Sequence, residues 1–485
     1  MSDQTEVIAF LSSAAMAREE THISIIFLSA DTAWKLKRAV RFSYIDYSTP
    51  ALRQKYCEAE LALNRRTAPD LYRRVRAITR AANGGLEFDG PGPPVDYVLE
   101  MRRFPAGALF EDLAEAGQLT PTLLRTLTDA IAAFHKAAET VPGGGAASMR
   151  AVIEGNAANL IACQNLPQNL VARVNAASLA TLAARAGLLD RRVAQGKIRR
   201  CHGDLHLRNI VLWQGRPMLF DAIEFNDAFS CIDVLYDLAF LLMDLLHRGA
   251  ADAAALVCNR YLDLTADADG LPVLPLFISV RASIRAHVAV AQGKGDEALA
   301  YLTLADAALR PAAPRLLAIG GLSGTGKSTL AAALAGSFPP MPGARVLRSD
   351  VLRKTLRGVA PEVRLPASAY TPEVNTRVYA ELHTQAEAVL TAGYSVILDA
   401  AFLRAEDRVA AQALAQRVGV PFTGIWLDAP EPLLAARLDA RRNDASDADS
   451  GIMRRQSALV TGEISWTRLD AAAPLAEAKK IAPGG

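Results

Sequence analysis

The 485-residue chain lacks paired cysteines: Cys57, Cys163, Cys201, Cys231 and Cys258 form an odd, widely spaced set without a CxxC, so neither a disulfide framework nor a cysteine-based zinc site is signalled, and the set reads as buried thiols in a reducing compartment. It also lacks the uninterrupted apolar run of ~20 residues that a membrane-spanning helix needs. Residues 234–246 come nearest, and Asp237 and Asp244 break them. Residues 1–6 show neither the positive stretch nor the apolar run of a secretory signal, so a cytoplasmic chain that crosses no membrane is expected. Charge of one sign is scarce as well. Fifty-three basic residues stand against fifty-one acidic ones, a formal charge of +2, which argues against a nucleic-acid backbone or an anionic membrane as partner. Nor does the composition resemble that of a disordered chain: 51% of the residues are apolar and 21% charged, so ordered domains are expected.

A chain of this length exceeds one hydrophobic core, and the patterns divide it in two without an internal repeat. Residues 23–28 and 33–40 are short apolar runs separated by a turn at residues 30–32, a predicted hairpin. A helical pattern over 52–64, a strand near 75–79, a Gly/Pro turn at 89–94 and a strand over 97–101 complete a small, mostly β lobe. Residues 119–196 carry Ala and Leu at helical spacing, interrupted at 141–145 and at Pro167. A short β segment follows over 202–221, then more helix to about residue 309. Pro311 and Pro314 mark the boundary, giving expected domains 1–310 and 315–485. Beyond it, strand-like runs at 316–319, 345–348, 395–398 and 422–427 alternate with helices, the pattern of a parallel sheet between helices. The expected fold class is thus α+β followed by α/β.

Residues 321–328 read GLSGTGKS, the full GxxxxGK(S/T) pattern, between an apolar strand and an Ala-rich helix. Glycines let backbone N–H groups turn inward around phosphate oxygens, and the helix N-terminus adds a positive dipole end. Gly321, Gly324, Gly326, Lys327, Ser328 and Thr329 are therefore candidate nucleotide-binding residues. Lys327 can reach the β/γ-phosphates and the Ser328 hydroxyl can ligate Mg2+. Asp399 ends the apolar run 395–399 and suits a Walker-B metal ligand, with a helix-capping role as the alternative. Asp350 follows a second strand, with Arg353 one helical turn later. This segment resembles the second-strand motif of small P-loop kinases of the polynucleotide-kinase and chloramphenicol-phosphotransferase group, which implies that Asp350 is the base on an acceptor hydroxyl; without the resemblance the pair reads as a surface salt bridge. Arg437, Arg441 and Arg442 fall where related kinases carry a phosphate-closing lid, which makes Arg437 a catalytic candidate, a solvated basic face being the alternative.

In the first half, residues 202–209 read HGDLHLRN, with Asp221 twelve residues after Asn209. The HxDxxxxN spacing is that of a kinase catalytic loop: Asp204 can accept the acceptor-hydroxyl proton, and Asn209 and Asp221 can hold Mg2+. The run 210–220, folded as a hairpin about Gln214 and Gly215, would bring Asn209 and Asp221 together. Here the chain resembles the aminoglycoside phosphotransferase group of the protein-kinase-like fold, whose loop reads HGD. Asp233 and Asp237 fall where that group has an acidic residue; Asp237 is read as support for the loop, with helix capping as the alternative. Upstream, Lys35 with Glu60 is the preferred ion pair for ordering nucleotide phosphates, and Lys37 shares its strand parity. No GxGxxG precedes them, so residues 29–32 would form the phosphate clamp without glycine.

Taken whole, residues 20–480 resemble bacterial fusions of an aminoglycoside phosphotransferase-like domain with a P-loop ATP-binding kinase domain. The resemblance implies an enzyme that uses ATP and Mg2+ to phosphorylate a hydroxyl of a small molecule. Two other readings stand beside it: a kinase-like sensor that tunes the P-loop half, and a polynucleotide 5′-hydroxyl kinase, which the near-neutral charge opposes. No feature of the sequence bears on oligomeric state.

Overall fold

The computed structural model describes residues 3–42, 45–440, 446–447, 450–460 and 462–481. By contacts the chain divides into two compact units, Met1–Gly145 with Asp190–Leu241, and Ala146–Leu189 with Leu242–Gly485.

The first unit is built on a six-stranded antiparallel sheet in the order Ala17–Glu20, Ser24–Leu28, Thr32–Lys37, Pro94–Arg102, Tyr72–Arg80, Leu86–Phe88. Alternation along Thr32–Lys37 decides what faces where. Trp34 and Leu36 pack with Ile25, Phe27, Val98 and the helix Thr5–Ala14 through Val7 and Leu11, while Ala33 faces the other core with Cys57 and Leu99. Lys35 and Lys37 share the parity of Ala33. They meet the helix Pro50–Asn64, which begins with Pro50 in its first turn and Thr49 accepting from the Leu52 N–H.

That helix buries a polar stripe, Arg53, Cys57, Glu60 and Asn64, at helical spacing. Burial on this scale demands partners. Arg53 pairs with Asp96 at 2.7 Å, Glu60 with both lysines, and the Asn64 Oδ1 accepts from the Ala222 N–H at 2.9 Å. Several elements fall outside the sequence expectations, the strands Ala17–Glu20 and Leu86–Phe88 among them. The short strands Ile198–Arg200 and Cys231–Asp233 pair antiparallel on either side of the HGD loop, and the helix Thr5–Ala14 precedes the sheet. The expected hairpin is present as Ile210–Trp213 against Arg216–Leu219, with positive φ at Gln214 and Gly215.

The second unit carries a parallel five-stranded sheet in the order Arg345–Arg348, Val396–Asp399, Leu316–Gly321, Phe422–Asp428, Thr467–Asp470. The last strand is mostly exposed and polar, with only Leu469 buried, and had no apolar run to announce it. The helix Lys327–Ala335 covers the sheet through Leu330, Ala331 and Leu334. Ala255, on the helix Ala251–Thr265, joins the same core. Asn259 from that helix binds the edge strand as another strand would, donating to Ala344 O at 2.9 Å and accepting from Val346 N–H at 2.7 Å. Arg345 reaches back to Asp263 at 2.5 Å. One helical stretch among the described residues, Ala268–Ala291, is long and apolar enough to cross a membrane, and 67% of its most apolar window is buried inside the protein.

Candidate functional site

In the first unit, the sheet, the helix and the hairpin converge on Lys35. Its Nζ lies 2.8 Å from Glu60 Oε1 and 2.5 Å from Asp221 Oδ1. Lys37 holds the other oxygen of Glu60 at 2.6 Å and Glu224 Oε1 at 2.5 Å, and the Tyr47 hydroxyl donates to Glu224 at 2.7 Å. Burial disfavours charge at Glu60, yet Lys35 and Lys37 outweigh it and hold the carboxyl down at about 2. For Lys35 the same contest runs in mirror image: burial opposes the ammonium, and Asp221 and Glu60 carry its pKa well above the ordinary lysine value. Glu58, by contrast, is exposed.

The HGD loop is fixed from beneath. The backbone N–H groups of His202 and Gly203 donate to the Asp237 carboxylate at 3.1 and 2.8 Å, and His135 Nε2 lies 3.0 Å from the same group. His202 is fully buried with Nε2 2.9 Å from Phe220 O, and burial lowers its pKa, so the ring is neutral at pH 7. Gly203 sits at φ +86°, where an added Cβ would stand 2.7 Å from Phe229 O; the loop geometry requires glycine there. Asn209 Nδ2 donates to Asp204 Oδ2 at 2.9 Å, and the Phe220 N–H to Asn209 O at 3.0 Å, which ties Asp204, Asn209 and the neighbour of Asp221 together. Asp221 adopts φ +62°, a left-handed conformation that Asp tolerates, with its N–H donating to the Tyr72 hydroxyl at 3.0 Å. The Asp204 and Asp221 side chains are 35% and 41% exposed, so two carboxylates stand open above a closed ionic base. Ser29 and Thr32 close the turn of the glycine-free hairpin through Ser29 N–H to Thr32 O at 2.8 Å.

In the second unit, the buried strand Leu316–Gly321 runs into the phosphate-loop sequence. Gly321 and Gly324 have φ of +136° and +89°, and a Cβ on either would meet a carbonyl, Leu427 O at 2.6 Å or Leu434 O at 2.9 Å. Lys327 Nζ donates to Gly321 O and Leu322 O at 2.9 and 2.8 Å. The Ser328 hydroxyl donates to Asp399 Oδ2 at 2.6 Å, and Arg348 Nε stands 3.3 Å from the same oxygen. A cavity of about 620 Å3 is lined by Lys327, Ser328 and Asp399 together with Asp350, Arg353 and Tyr379. That volume suits a small-molecule site. Asp350, at the start of the helix Ser349–Thr355, has its pKa pushed up by burial, against the opposing pull of Arg348. Arg353 is 6% exposed, donates through Nη1 to Ala369 O at 2.8 Å and stacks on Tyr370 at 4.8 Å. Its Nε has no hydrogen-bond partner among the described residues.

Gly324, Gly326 and Thr329 line the cavity with Lys327 and Ser328; Gly321 shapes the strand end behind them. Arg437 is not brought to this cavity: its Nη2 donates to Ala471 O at 3.1 Å. Arg441 and Arg442 lie outside the described residues. Sequence reasoning missed Tyr47, Tyr72 and Glu224 behind the lysines, and Tyr370, Asn375 and Tyr379 in the cavity. Only Glu224 left a local signal, an acid three residues after Asp221; the tyrosines arrive through tertiary folding alone. Ser446 and Asp447, also on the cavity wall, sit in an Asp/Ser-rich stretch that reads as a loop.

Residues 48–272 match the model of the phosphotransferase enzyme family, and residues 316–462 match that of an AAA domain. A chain that joins these two modules is a kinase-type phosphotransferase acting on hydroxyl groups. Over 477 residues it is 30% identical to the uncharacterized protein Rv2004c of Mycobacterium tuberculosis, covering 94% of this chain and 92% of that one, with the same figures for the uncharacterized protein Mb2027c of Mycobacterium bovis. The chain belongs to the family of these mycobacterial proteins, with an aminoglycoside phosphotransferase-like module followed by a P-loop kinase-like module. Among solved structures, a gluconokinase from Sinorhizobium meliloti 1021 is similar at 22% identity and TM-score 0.26, covering 36% of this chain and 93% of that chain. An aminoglycoside phosphotransferase in ternary complex with AMP-PNP and hygromycin B is similar at 16% identity and TM-score 0.39, covering 63% of this chain and 98% of that chain.

Proposed function

We propose that the chain transfers the γ-phosphoryl group of ATP to a hydroxyl of a small molecule, with two Mg2+-dependent nucleotide sites, one in each of the functional modules 1–310 and 315–485, in the cytoplasm. The observation that carries this reading is the shared cavity of the second unit, which a phosphate-loop lysine, a Ser–Asp pair of metal-ligand chemistry and a carboxylate with raised pKa all line. Loop N–H groups and Lys327 would hold the phosphates, and Ser328 and Asp399 the Mg2+. Asp350, more basic than an ordinary carboxylate, would take the acceptor proton. Arg437 would neutralise charge on the transferring group only if its side chain left Ala471. A ligand oxygen would satisfy the buried Arg353 Nε, since an unpaired buried donor is costly.

In the first module Lys35, oriented by Glu60, would hold the α/β-phosphates, Asn209 and Asp221 the metal, and Asp204 would be the base. Mg2+ bound at Asp221 would compete with Lys35 for that carboxylate. This 2.5 Å contact favours a second reading, in which the first module binds ligands and tunes the other without transferring phosphate. A screen of metabolite pools for an ATP-dependent gain of one phosphate, run on wild type, Asp204→Ala and Lys327→Ala, separates them. Loss of a distinct product in each variant supports two active sites; a product set unchanged by Asp204→Ala supports the sensor; no phosphorylated product from any form counts against both.

A further inference from the structure

The lining of the P-loop cavity includes a hydroxyl of the chain itself. Ser446 donates a hydrogen bond to the carboxylate of Asp350, and both line the cavity that Lys327 and Ser328 also line. Its neighbour fixes it there. Asp447 accepts from Lys354 Nζ at 3.2 Å, from the Leu365 N–H at 3.0 Å, and from the Tyr370 hydroxyl. Lys354 is fully buried, so its ammonium depends on Asp447 as a partner, and the contact is a strong anchor. A serine held on the half-buried Asp350 carboxylate, in the cavity that the phosphate loop also lines, offers that carboxylate an alcohol.

We propose that Ser446 is a site of self-phosphorylation, modified within the chain by ATP held on the P-loop. This inference rests on the reading that the P-loop module binds ATP with Mg2+ and that Asp350 is its base. In the step, the Ser446 hydroxyl proton passes to the Asp350 carboxylate and the Oγ–phosphorus bond forms. The bond from the γ-phosphorus to the β,γ-bridging oxygen breaks, and ADP leaves with the electron pair. Tethering replaces a bimolecular encounter by a unimolecular one, so the transfer needs no substrate affinity.

The test uses the full chain, treated with phosphatase and then given Mg2+ and γ-labelled ATP, with phosphates mapped by peptide mass spectrometry and nucleotide binding followed in parallel with a fluorescent ATP analogue. The expected result is one phosphate on Ser446, formed at a rate independent of protein concentration, unaffected by Asp204→Ala, and slowed ~10²-fold or more by Lys327→Ala and Asp350→Asn. Ser446→Ala removes the label. Nucleotide binding that depends on Lys327 but leaves Ser446 unlabelled overturns the self-transfer and leaves the nucleotide reading standing. Label on Ser446 that needs Asp204 and not Lys327, or whose rate rises with protein concentration, also overturns it. Absence of any Lys327-dependent nucleotide binding overturns both.

Discussion

Replacing Glu60 by Gln removes one charge from a buried cluster and keeps its shape. Glu60 is fully buried between Lys35 and Lys37, each of which retains one carboxylate, Asp221 or Glu224, after the change. Breaking a buried ion pair costs ~3–5 kcal/mol, and the retained partners argue for the lower end, ~3 kcal/mol. The displacement of the Glu60 carboxyl from 4.5 to about 2 points to a similar size, at ~1.4 kcal/mol per pH unit. The sign follows from the direction. The folded pKa lies below the unfolded one, so the contribution is complete above pH 4.5 and is lost as the pH falls toward 2. Hydrogen exchange of the amides in Thr32–Lys37 reads the local opening free energy, and ~3 kcal/mol corresponds to a fall in protection of ~10²-fold at pH 7. Wild-type protection, corrected for intrinsic exchange, should decline between pH 4.5 and 2, and Glu60→Gln should lack that component. A change in protection below about fivefold at pH 7 would refute the claim that the cluster's lysines depend on this carboxylate.

Gly203→Ala should cost ~2 kcal/mol or more, from the left-handed backbone and the approach to Phe229 O, and should abolish Asp204-dependent turnover while P-loop turnover persists in a product assay. Asn259→Ala strips partners from Ala344 O and the Val346 N–H, and should lower the stability of the parallel-sheet unit by ~2–3 kcal/mol in urea unfolding; an unchanged midpoint would mean that the helix Ala251–Thr265 does not support the sheet edge. Ser328→Ala should raise the Mg2+ concentration needed for P-loop turnover and lower the maximal rate ~10²-fold, measured by Mg2+ titration. Because burial raises the Asp350 pKa, the acid limb of the P-loop pH–rate profile should lie above 3.8, and Asp350→Asn should erase that limb along with most of the rate.

How much of this was legible in the sequence depended on how local each feature is. The phosphate loop and the HGD loop are contiguous, and their glycines are required by positive φ and close carbonyls, so their geometry is written in a few adjacent residues. Strand parity and helix spacing were enough to aim Lys35 and Glu60 at one another. Parity alone could not choose between Lys35 and Lys37, and both hold Glu60. The strand Thr467–Asp470 escaped because it is an edge strand with one buried side chain. The residues that shape the P-loop cavity, Tyr370, Asn375 and Tyr379, come from a short turn and a long helix whose periodicity reports a buried face and not what that face will meet. Asn259 and Asp263 look like ordinary polar positions on a helix, and only the folded chain sets them against a strand edge more than eighty residues away.

On the proposed function, each module would hold its own nucleotide through lysine and a carboxylate-bound metal. Isothermal titration of the full chain with a non-hydrolysable ATP analogue and Mg2+, on wild type, Asp221→Asn and Lys327→Ala, counts those sites. Two magnesium-dependent sites per chain, with one lost in each variant and a different one each time, is the predicted result. A single site that survives either substitution, or no site at all, would contradict it.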